Sequence, residues 1–335
     1  MTSDRSTPPD GGNLAVRRRR AVARCLGVLV LAGAVSLTGF AGAFAATPSP
    51  PPPRLPAIAS TSVEARYSGN RQYIKEAARM AEKGGDTARA GTLRAMAGRD
   101  RQFLAFDGRA GGRAVEVFGD LTGARHIAVL VPGADTSLDT FDSPSGLSRS
   151  AHALYGRMED PQELDRVAVV AWLGYAAPET MSLAALTTGR ADDGARELRR
   201  FVMTLRSVNG AEVALFCHSY GSVVCGRAAP HVTVSDIVVY GSPGMGADSY
   251  SSLATEARLW AALSEGDWIG LVPNVSVSLF DTTVGFGADP TNPSFGASSL
   301  DPGDVGHGGY MNAGGRLIDA FALIAGGRGE ELVDV

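Results

Sequence analysis

The sequence has few of the residue types on which several classes of protein depend. Its 335 residues include only three cysteines and five histidines, 7% are aromatic, and the formal net charge is −4. Three cysteines cannot supply the disulfide framework that stabilises small secreted domains. The slightly acidic balance excludes the strongly basic surface typical of nucleic-acid-binding proteins. With 44% hydrophobic and 20% charged residues, the chain has the composition of a folded domain that depends on its hydrophobic core.

The first 46 residues have the charge pattern of an export signal. Four arginines at residues 17–20, and Arg24, precede an apolar stretch without charge at residues 25–46. This order is typical of signal peptides. Ala43 and Ala45 match a cleavage site, which predicts cleavage near Ala45, but the stretch is also long enough to stay in a bilayer as an anchor. Both outcomes predict an exported protein, either secreted or anchored at the outer face of the cytoplasmic membrane.

The rest of the chain divides into a linker, a helical segment and a main domain. Residues 47–60 are rich in proline, which favours an extended linker. In residues 61–105 apolar residues recur with helical spacing, and Gly84 and Gly85 interrupt the pattern. We therefore predict a helical hairpin there. Residues 106–330 form the main domain.

Short apolar runs alternate with amphipathic stretches throughout the main domain. The runs that predict strands are residues 115–118, 127–131, 167–172, 212–216, 237–240 and 258–263. The stretches that predict helices are residues 147–158, 192–208, 221–229 and 314–325. Continuously apolar strands are typical of a parallel sheet that is covered on both faces. We predict an α/β fold with a mostly parallel central sheet, helices on both faces and a helical N-terminal segment before it.

A serine lies in a tight turn between a predicted strand and a predicted helix. The turn reads Cys217-His218-Ser219-Tyr220-Gly221. A strand, a serine turn and a helix in this order are typical of a G-x-S-x-G nucleophile elbow, whose small flanking residues let strand and helix pass closely. Ser219 is therefore the candidate nucleophile, and Cys217 replaces the first glycine with another small residue.

The two cysteines around this turn are predicted to be unpaired. Cys217 and Cys225 are eight positions apart, and a bridge between them is expected to strain the turn. We therefore interpret both as buried thiols that pack like small hydrophobic residues.

These features resemble those of the alpha/beta-hydrolase superfamily, and in particular of exported actinobacterial members whose elbow reads G-H-S-Y-G. The resemblance covers about residues 60–330. Besides the elbow, it is carried by VLVPGA at residues 129–134, YGSPGMG at residues 240–246 and HGGY at residues 307–310. It implies serine-based hydrolysis without a particular substrate. It also implies that an acid and then a histidine follow the serine in the chain.

This chain order selects His307 as the general base. The other four histidines either precede Ser219, adjoin it or are predicted far from the strand ends: His126, His152, His218 and His231. His307 lies in a glycine-rich loop before the last predicted helix. A histidine there can reach a serine at the carboxyl edge of the sheet.

Asp267 is the first choice for the acid. It follows the strand at residues 258–263 by a short turn, so it is expected to emerge at the edge of the sheet and orient the imidazole. Asp236 precedes its strand and is expected at the opposite edge. The other acidic residues between serine and histidine remain open as alternatives: Asp248, Glu265, Asp281, Asp289, Asp301 and Asp304.

Backbone N–H groups at the same edge are expected to form an oxyanion hole. The Tyr220 N–H, at the start of the helix, is one predicted donor. The second is predicted in the loop after the strand at residues 127–131. Pro132 has no N–H, so Ala134 or Asp135 is the candidate.

The sequence therefore predicts an exported serine hydrolase with Ser219, His307 and Asp267 as its triad, most simply a carboxylic-ester hydrolase for a small-molecule or lipid ester. An acyltransferase or a peptidase would use the same residues, and a non-catalytic cell-envelope binding protein is the alternative outside catalysis. No cofactor, metal ion or nucleic-acid partner is expected, because no group of residues has ligand spacing. Residues 174–193 form a long connection, which is either a substrate-facing lid or a packed loop.

Overall fold

The structure, a computed structural model, describes residues 49–158, 166–180, 182, 187–272, 276–279 and 282–332. The predicted export segment, residues 1–46, lies outside these ranges, as does part of the connection at residues 174–193. Among the helices within the described ranges, none is both long and apolar enough to cross a bilayer.

The strands in the described residues form one large sheet and one separate hairpin. In chain order they are β1 (Gln102–Asp107), β2 (Arg113–Phe118), β3 (His126–Val131), β4 (Val167–Leu173), β5 (Glu212–His218), β6 (Asp236–Tyr240), β7 (Arg258–Ala262), β8 (Ser276–Leu279), β9 (Thr282–Gly285) and β10 (Ser298–Ser299). The large sheet has the order β1-β2-β4-β3-β5-β6-β7-β10, while β8 and β9 form the hairpin. Only β1 with β2 and β2 with β4 pair antiparallel within the large sheet. The predicted mostly parallel sheet is therefore confirmed.

Helices cover both faces of this sheet. The α-helices are α1 (Val63–Lys83), α2 (Thr87–Met96), α3 (Leu147–Arg157), α4 (Gly189–Asn209), α5 (Gly221–Ala228) and α6 (Leu317–Ala325). Single 3-10 turns occur at Ser60–Ser62, Ala229–His231, Tyr250–Leu253, Trp268–Leu271 and Gly329–Leu332. Because side chains alternate along a strand, β5 sends Leu215 into a core shared with α4 and α5, and Phe216 into a core shared with α3 and α6.

The N-terminal hairpin of α1 and α2 packs against the edge strand β1. The Asn70 side-chain amide donates to Phe103 O at 2.8 Å, and Arg66 Nε donates to Leu104 O at 2.8 Å. An edge strand covered in this way is protected from pairing with other chains. The helical segment also ends earlier than predicted, because residues 102–105, which were placed in it, belong to β1 and pair with β2.

A disulfide joins Cys217 and Cys225, so the prediction of two buried thiols is wrong. Their Cα atoms are 6.4 Å apart, within the usual range for a bridge. The prediction assumed that a bridge across the turn at Ser219 would strain it. In the structure, α5 turns back beside β5 after Ser219, which brings Cys225 in the second turn of the helix next to Cys217 near the strand end. The bridge therefore ties together the strand and the helix that flank the serine.

Replacing Cys217 and Cys225 together by alanine is expected to lower the free energy of unfolding by about 2–3 kcal/mol, because the unfolded chain is then no longer restricted by a cross-linked loop. Thermal or chemical unfolding measures this change. The control repeats the comparison in the presence of a reductant that opens the bridge, where the unaltered protein and the double variant are expected to differ less. A thiol count on the unreduced, denatured chain from residue 46 onward, which contains only these two cysteines, is expected to find no free thiol. Two free thiols would contradict the disulfide.

Candidate active site

Ser219 lies in the sharp turn between β5 and α5, in a backbone conformation that few residues adopt. Its φ is +52°, in the left-handed region that is unfavourable for residues other than glycine. Neighbouring backbone approaches the turn closely. A Cβ on Gly221 would lie 2.5 Å from Val131 O, and a Cβ on Gly133 would lie 2.7 Å from Ser219 Cβ. Glycine at these two positions therefore lets β5, α5 and the loop after β3 converge on Ser219.

His307 lies within hydrogen-bond distance of both Ser219 and Asp267. Its Nε2 is 2.9 Å from Ser219 Oγ, and its Nδ1 is 2.9 Å and 3.0 Å from the two carboxylate oxygens of Asp267. A carboxylate accepts hydrogen bonds, so Nδ1 carries the hydrogen and Nε2 keeps a lone pair for the serine hydroxyl. The structure thus brings the three predicted residues together in the order that activation of a serine requires.

Asp267 is buried and held by fixed donors. It follows β7 and precedes the 3-10 turn Trp268–Leu271, whose Ile269 N–H donates to it at 2.9 Å. The Tyr310 hydroxyl donates to the same carboxylate at 2.6 Å and accepts from Ser264 N–H at 3.2 Å. Burial, and then the bond to Asp267, raise the pKa of Tyr310, so its phenol remains a donor. These bonds keep the carboxylate oriented toward His307.

None of the alternative acids within the described residues hydrogen-bonds to His307. Asp236 begins β6 at the opposite edge of the sheet, where it is buried and accepts from Arg258 Nε at 2.8 Å. Asp289 and Asp301 accept from backbone N–H groups in their own loops. The other described alternatives, equally without a bond to His307, are Asp248, Glu265 and Asp304. Asp281 lies outside the described residues.

The backbone around Ser219 decides between the two candidates for the second oxyanion donor. The Asp135 N–H donates to Pro178 O at 2.9 Å, so it is already used. The N–H of Ala134 makes no hydrogen bond with the described part of the chain. The same is true of the N–H of Tyr220, the residue before α5. Of the two predicted possibilities, Ala134 is therefore the one whose N–H remains available beside that of Tyr220.

His218 belongs to the site, although its place in the chain order had excluded it as the base. Its ring packs on His307 with centroids 4.7 Å apart, and its Nε2 lies 2.8 Å from the carbonyl oxygen of His307. A carbonyl can only accept, so Nε2 donates. Burial, assisted by the charge of nearby His307, lowers the pKa of His218 to about 4. The neutral ring therefore holds the His307 backbone in place near neutral pH.

A cavity of about 350 Å³ adjoins His307, Gly133 and Ala134. A second cavity, of about 600 Å³, shares Asp135 and Thr136 with it. Among the described residues, no lysine or arginine lines the smaller cavity. Within the described ranges, no group of three or more histidine, cysteine, aspartate or glutamate side chains is arranged to hold a metal ion.

The fold and this geometry agree with a match to known sequences. A family model described as alpha/beta hydrolase matches residues 107–277, slightly more than half of the chain. The chain belongs to the alpha/beta hydrolase family. The matched residues of this alpha/beta hydrolase include Ser219 and Asp267, whereas His307 lies beyond them.

Relatives of this alpha/beta hydrolase include uncharacterized mycobacterial proteins. One from Mycobacterium tuberculosis is 29% identical over 265 residues, which cover 68% of this chain and 39% of the relative. Another, from Mycobacterium bovis, is 32% identical over 146 residues, which cover 41% of this chain and 54% of the relative. The chain thus spans between about two fifths and about half of the length of these relatives.

Solved structures show only distant similarity. An α/β serine hydrolase without a lid from Xanthomonas campestris has a TM-score of 0.43 at 17% identity, over 69% of this chain and 95% of that chain. A dienelactone hydrolase from Anabaena variabilis has a TM-score of 0.39 at 14% identity, over 66% of this chain and 92% of that chain. At these values neither likeness carries an argument about chemistry.

Stability is expected to fall as the pH decreases from 6.5 toward 4. In that window the unfolded chain protonates His218, whose ordinary pKa is near 6.5, while the folded chain does not, because its pKa there is about 4. The variant His218→Gln cannot titrate and is expected to lose less free energy of unfolding between pH 7 and pH 5. Chemical denaturation at both pH values measures the difference. Equal losses in the two proteins would contradict this role of His218.

Proposed function

We propose that this alpha/beta hydrolase is an exported serine hydrolase that cleaves carboxylic esters. Ser219 is the nucleophile, His307 is the general base and then the general acid, and Asp267 orients His307. The observation that carries the proposal is the continuous chain of hydrogen bonds from Ser219 Oγ through both nitrogens of His307 to Asp267. A serine that serves only as a polar surface residue needs neither this chain nor a backbone φ of +52°.

The proposed reaction has two steps. Ser219 Oγ attacks the ester carbonyl carbon while its proton passes to His307 Nε2, and the resulting oxyanion accepts hydrogen bonds from the N–H groups of Tyr220 and Ala134. The bond to the alcohol oxygen then breaks, and that oxygen takes the proton from His307. The acyl group stays on Ser219 until a water molecule attacks it while passing a proton to His307 Nε2. The bond from the acyl carbon to Ser219 Oγ then breaks, Oγ takes the proton back from His307, and the carboxylic acid leaves.

Ester hydrolysis is proposed ahead of acyl transfer and peptide cleavage for a chemical reason. An alcohol leaves a tetrahedral intermediate more readily than an amine, and hydrolysis needs no acceptor other than water. A role as a non-catalytic cell-envelope binding protein is disfavoured, because a strained serine and a buried carboxylate both oppose folding. A binding protein gains nothing from keeping them together.

Two separate features support export. Residues 1–46 have a basic segment before an apolar one, as signal peptides do. The bridge between Cys217 and Cys225 is of a kind that persists in oxidising compartments outside the cytoplasm. We therefore propose that residues 1–46 direct export and that cleavage near Ala45 releases a secreted protein.

Sequencing the N-terminus of the exported protein is expected to find a start near Ala46. Export through a cleaved signal leaves the protein in the soluble fraction. An intact N-terminus, found only with membranes, would instead assign residues 25–46 as an anchor. Retention of the whole chain in the cytoplasm would contradict export.

The variant Asp267→Asn is expected to lower kcat by on the order of 10⁴, because an amide can hold the imidazole in the wrong tautomer while keeping the shape of the side chain. Turnover of a soluble acetate ester measures this, with Ser219→Ala setting the level of background hydrolysis. The matched control is Asp301→Asn, since Asp301 is exposed and makes no bond to His307. Collapse of Asp301→Asn, with near-normal turnover of Asp267→Asn, would move the acid to the later loop.

A further inference from the structure

We propose that the alcohol portion of the ester is a neutral polyhydroxylated compound, such as a sugar. This portion binds in the cavity beside His307, and its ring face extends to Trp268, which packs on His307 outside the described lining of the cavity. This inference depends on the proposed ester hydrolysis and adds the class of substrate to it.

Hydroxyl side chains dominate the polar lining of the cavity of about 350 Å³. They come from the segment between β3 and α3 and from the first turn of α3: Thr136, Thr140, Ser143, Ser145 and Ser150. The hydroxyls of Thr136, Thr140 and Ser143 already donate to backbone carbonyl oxygens of the same segment. The hydroxyls of Ser145 and Ser150, by contrast, bond to no group in the described part of the chain. A free hydroxyl can both donate and accept a hydrogen bond, so it can pair with a hydroxyl of a ligand in either direction.

One of these hydroxyls, that of Ser145, lies close to the backbone of the residue after His307. A Cβ on Gly308, the residue after His307, would lie 3.4 Å from Ser145 Oγ. In the proposed reaction the alcohol oxygen takes its proton from His307 Nε2, so the alcohol portion of the ester has to lie close to this ring. The hydroxyl-lined cavity is thus where the alcohol, rather than a distant part of the substrate, is expected to bind.

The charge around the cavity favours a neutral ligand. The described residues of its lining include no lysine or arginine, so a phosphate or carboxylate would find no cation among them. Among the lining residues that the structure describes, only Asp135 carries a carboxylate, and it accepts hydrogen bonds from the N–H and hydroxyl of Thr180. Its negative charge further disfavours an anion. The volume is near the lower end of the range for small-ligand pockets, about 300–1,000 Å³, which suits a compact polar group better than a long chain.

The exposed aromatic ring of Trp268 packs against His307. Its ring centroid is 4.8 Å from that of His307, and 49% of the residue is exposed. Large apolar side chains are exposed at only three places among the described residues, and Trp268 and Leu271 of one 3-10 turn account for two of them. An indole ring offers an apolar face with a polar tip. The C–H face of a sugar ring, whose hydroxyls point outward, fits both that face and the nearby hydroxyls.

A matched pair of acetates tests the proposal on the full, naturally processed protein. Glucose 6-O-acetate and cyclohexylmethyl acetate share the acyl group and a six-membered ring on the CH₂–O carbon, and they differ mainly in the hydroxyls. We expect kcat/KM to be at least about tenfold higher for the glucose ester, the effect of one or two net hydrogen bonds. Glycerol 1-acetate, as a third substrate, separates recognition of a sugar ring from recognition of any polyol.

Variants locate the preference. Ser145→Ala is expected to lower the ratio of the two kcat/KM values, and Trp268→Ala to raise KM for the glucose ester more than it changes kcat, with Trp268→Phe restoring most of the loss. Met203→Ala, which removes an exposed apolar side chain from α4, is the control and is expected to leave the ratio unchanged. Equal rates for the two acetates, or a preference for the cyclohexyl ester, would overturn the polyol proposal but leave ester hydrolysis standing. Failure to hydrolyse even p-nitrophenyl acetate would overturn both.

Discussion

The structure of the site depends on the close approach of three backbone segments around Ser219. β5, α5 and the loop after β3 meet there without room for a Cβ at Gly133 or Gly221. A left-handed conformation at Ser219 opposes folding by about 1–3 kcal/mol, so the surrounding structure has to hold it. The two hydrophobic cores on either side of β5 do so, and the bridge from Cys217 to Cys225 fixes the strand to the helix.

The parallel sheet explains why distant residues converge on this turn. Parallel strands end at the same edge, so the loop after β3 brings Ala134, β5 brings Ser219, and the turn after β7 brings Asp267 to one place. His307 comes from a loop before α6 and has no strand to position it. Instead, the His218 ring holds its backbone carbonyl, and Asp267 holds its Nδ1. The position of His307 is thus fixed by hydrogen bonds, whereas that of Ser219 is fixed by packing.

Much of this arrangement follows from local sequence patterns. The apolar strand before Ser219 and the helix after it are visible as changes in periodicity, and the position of Asp267 just after a strand follows from the direction of a parallel sheet. β1 was not predictable in this way, because a short edge strand is stabilised by its partner β2 and by α1. The disulfide was missed because sequence separation does not show that α5 turns back beside β5. The contacts of His218 and Trp268 with His307 depend on how separate segments of the chain meet in space. Their positions next to Ser219 and Asp267 in the sequence were nevertheless a signal that both belong to the site.

The most direct test of this account is covalent labelling of Ser219. A fluorophosphonate reacts with a serine only where a base activates it and an oxyanion hole receives the charge. Incubation of the protein with such a reagent, followed by intact mass measurement and peptide mapping, is expected to find one adduct per chain, on Ser219. An adduct on another serine, or no adduct under conditions in which a known serine esterase is fully labelled, would contradict the central claim that Ser219 is an activated nucleophile.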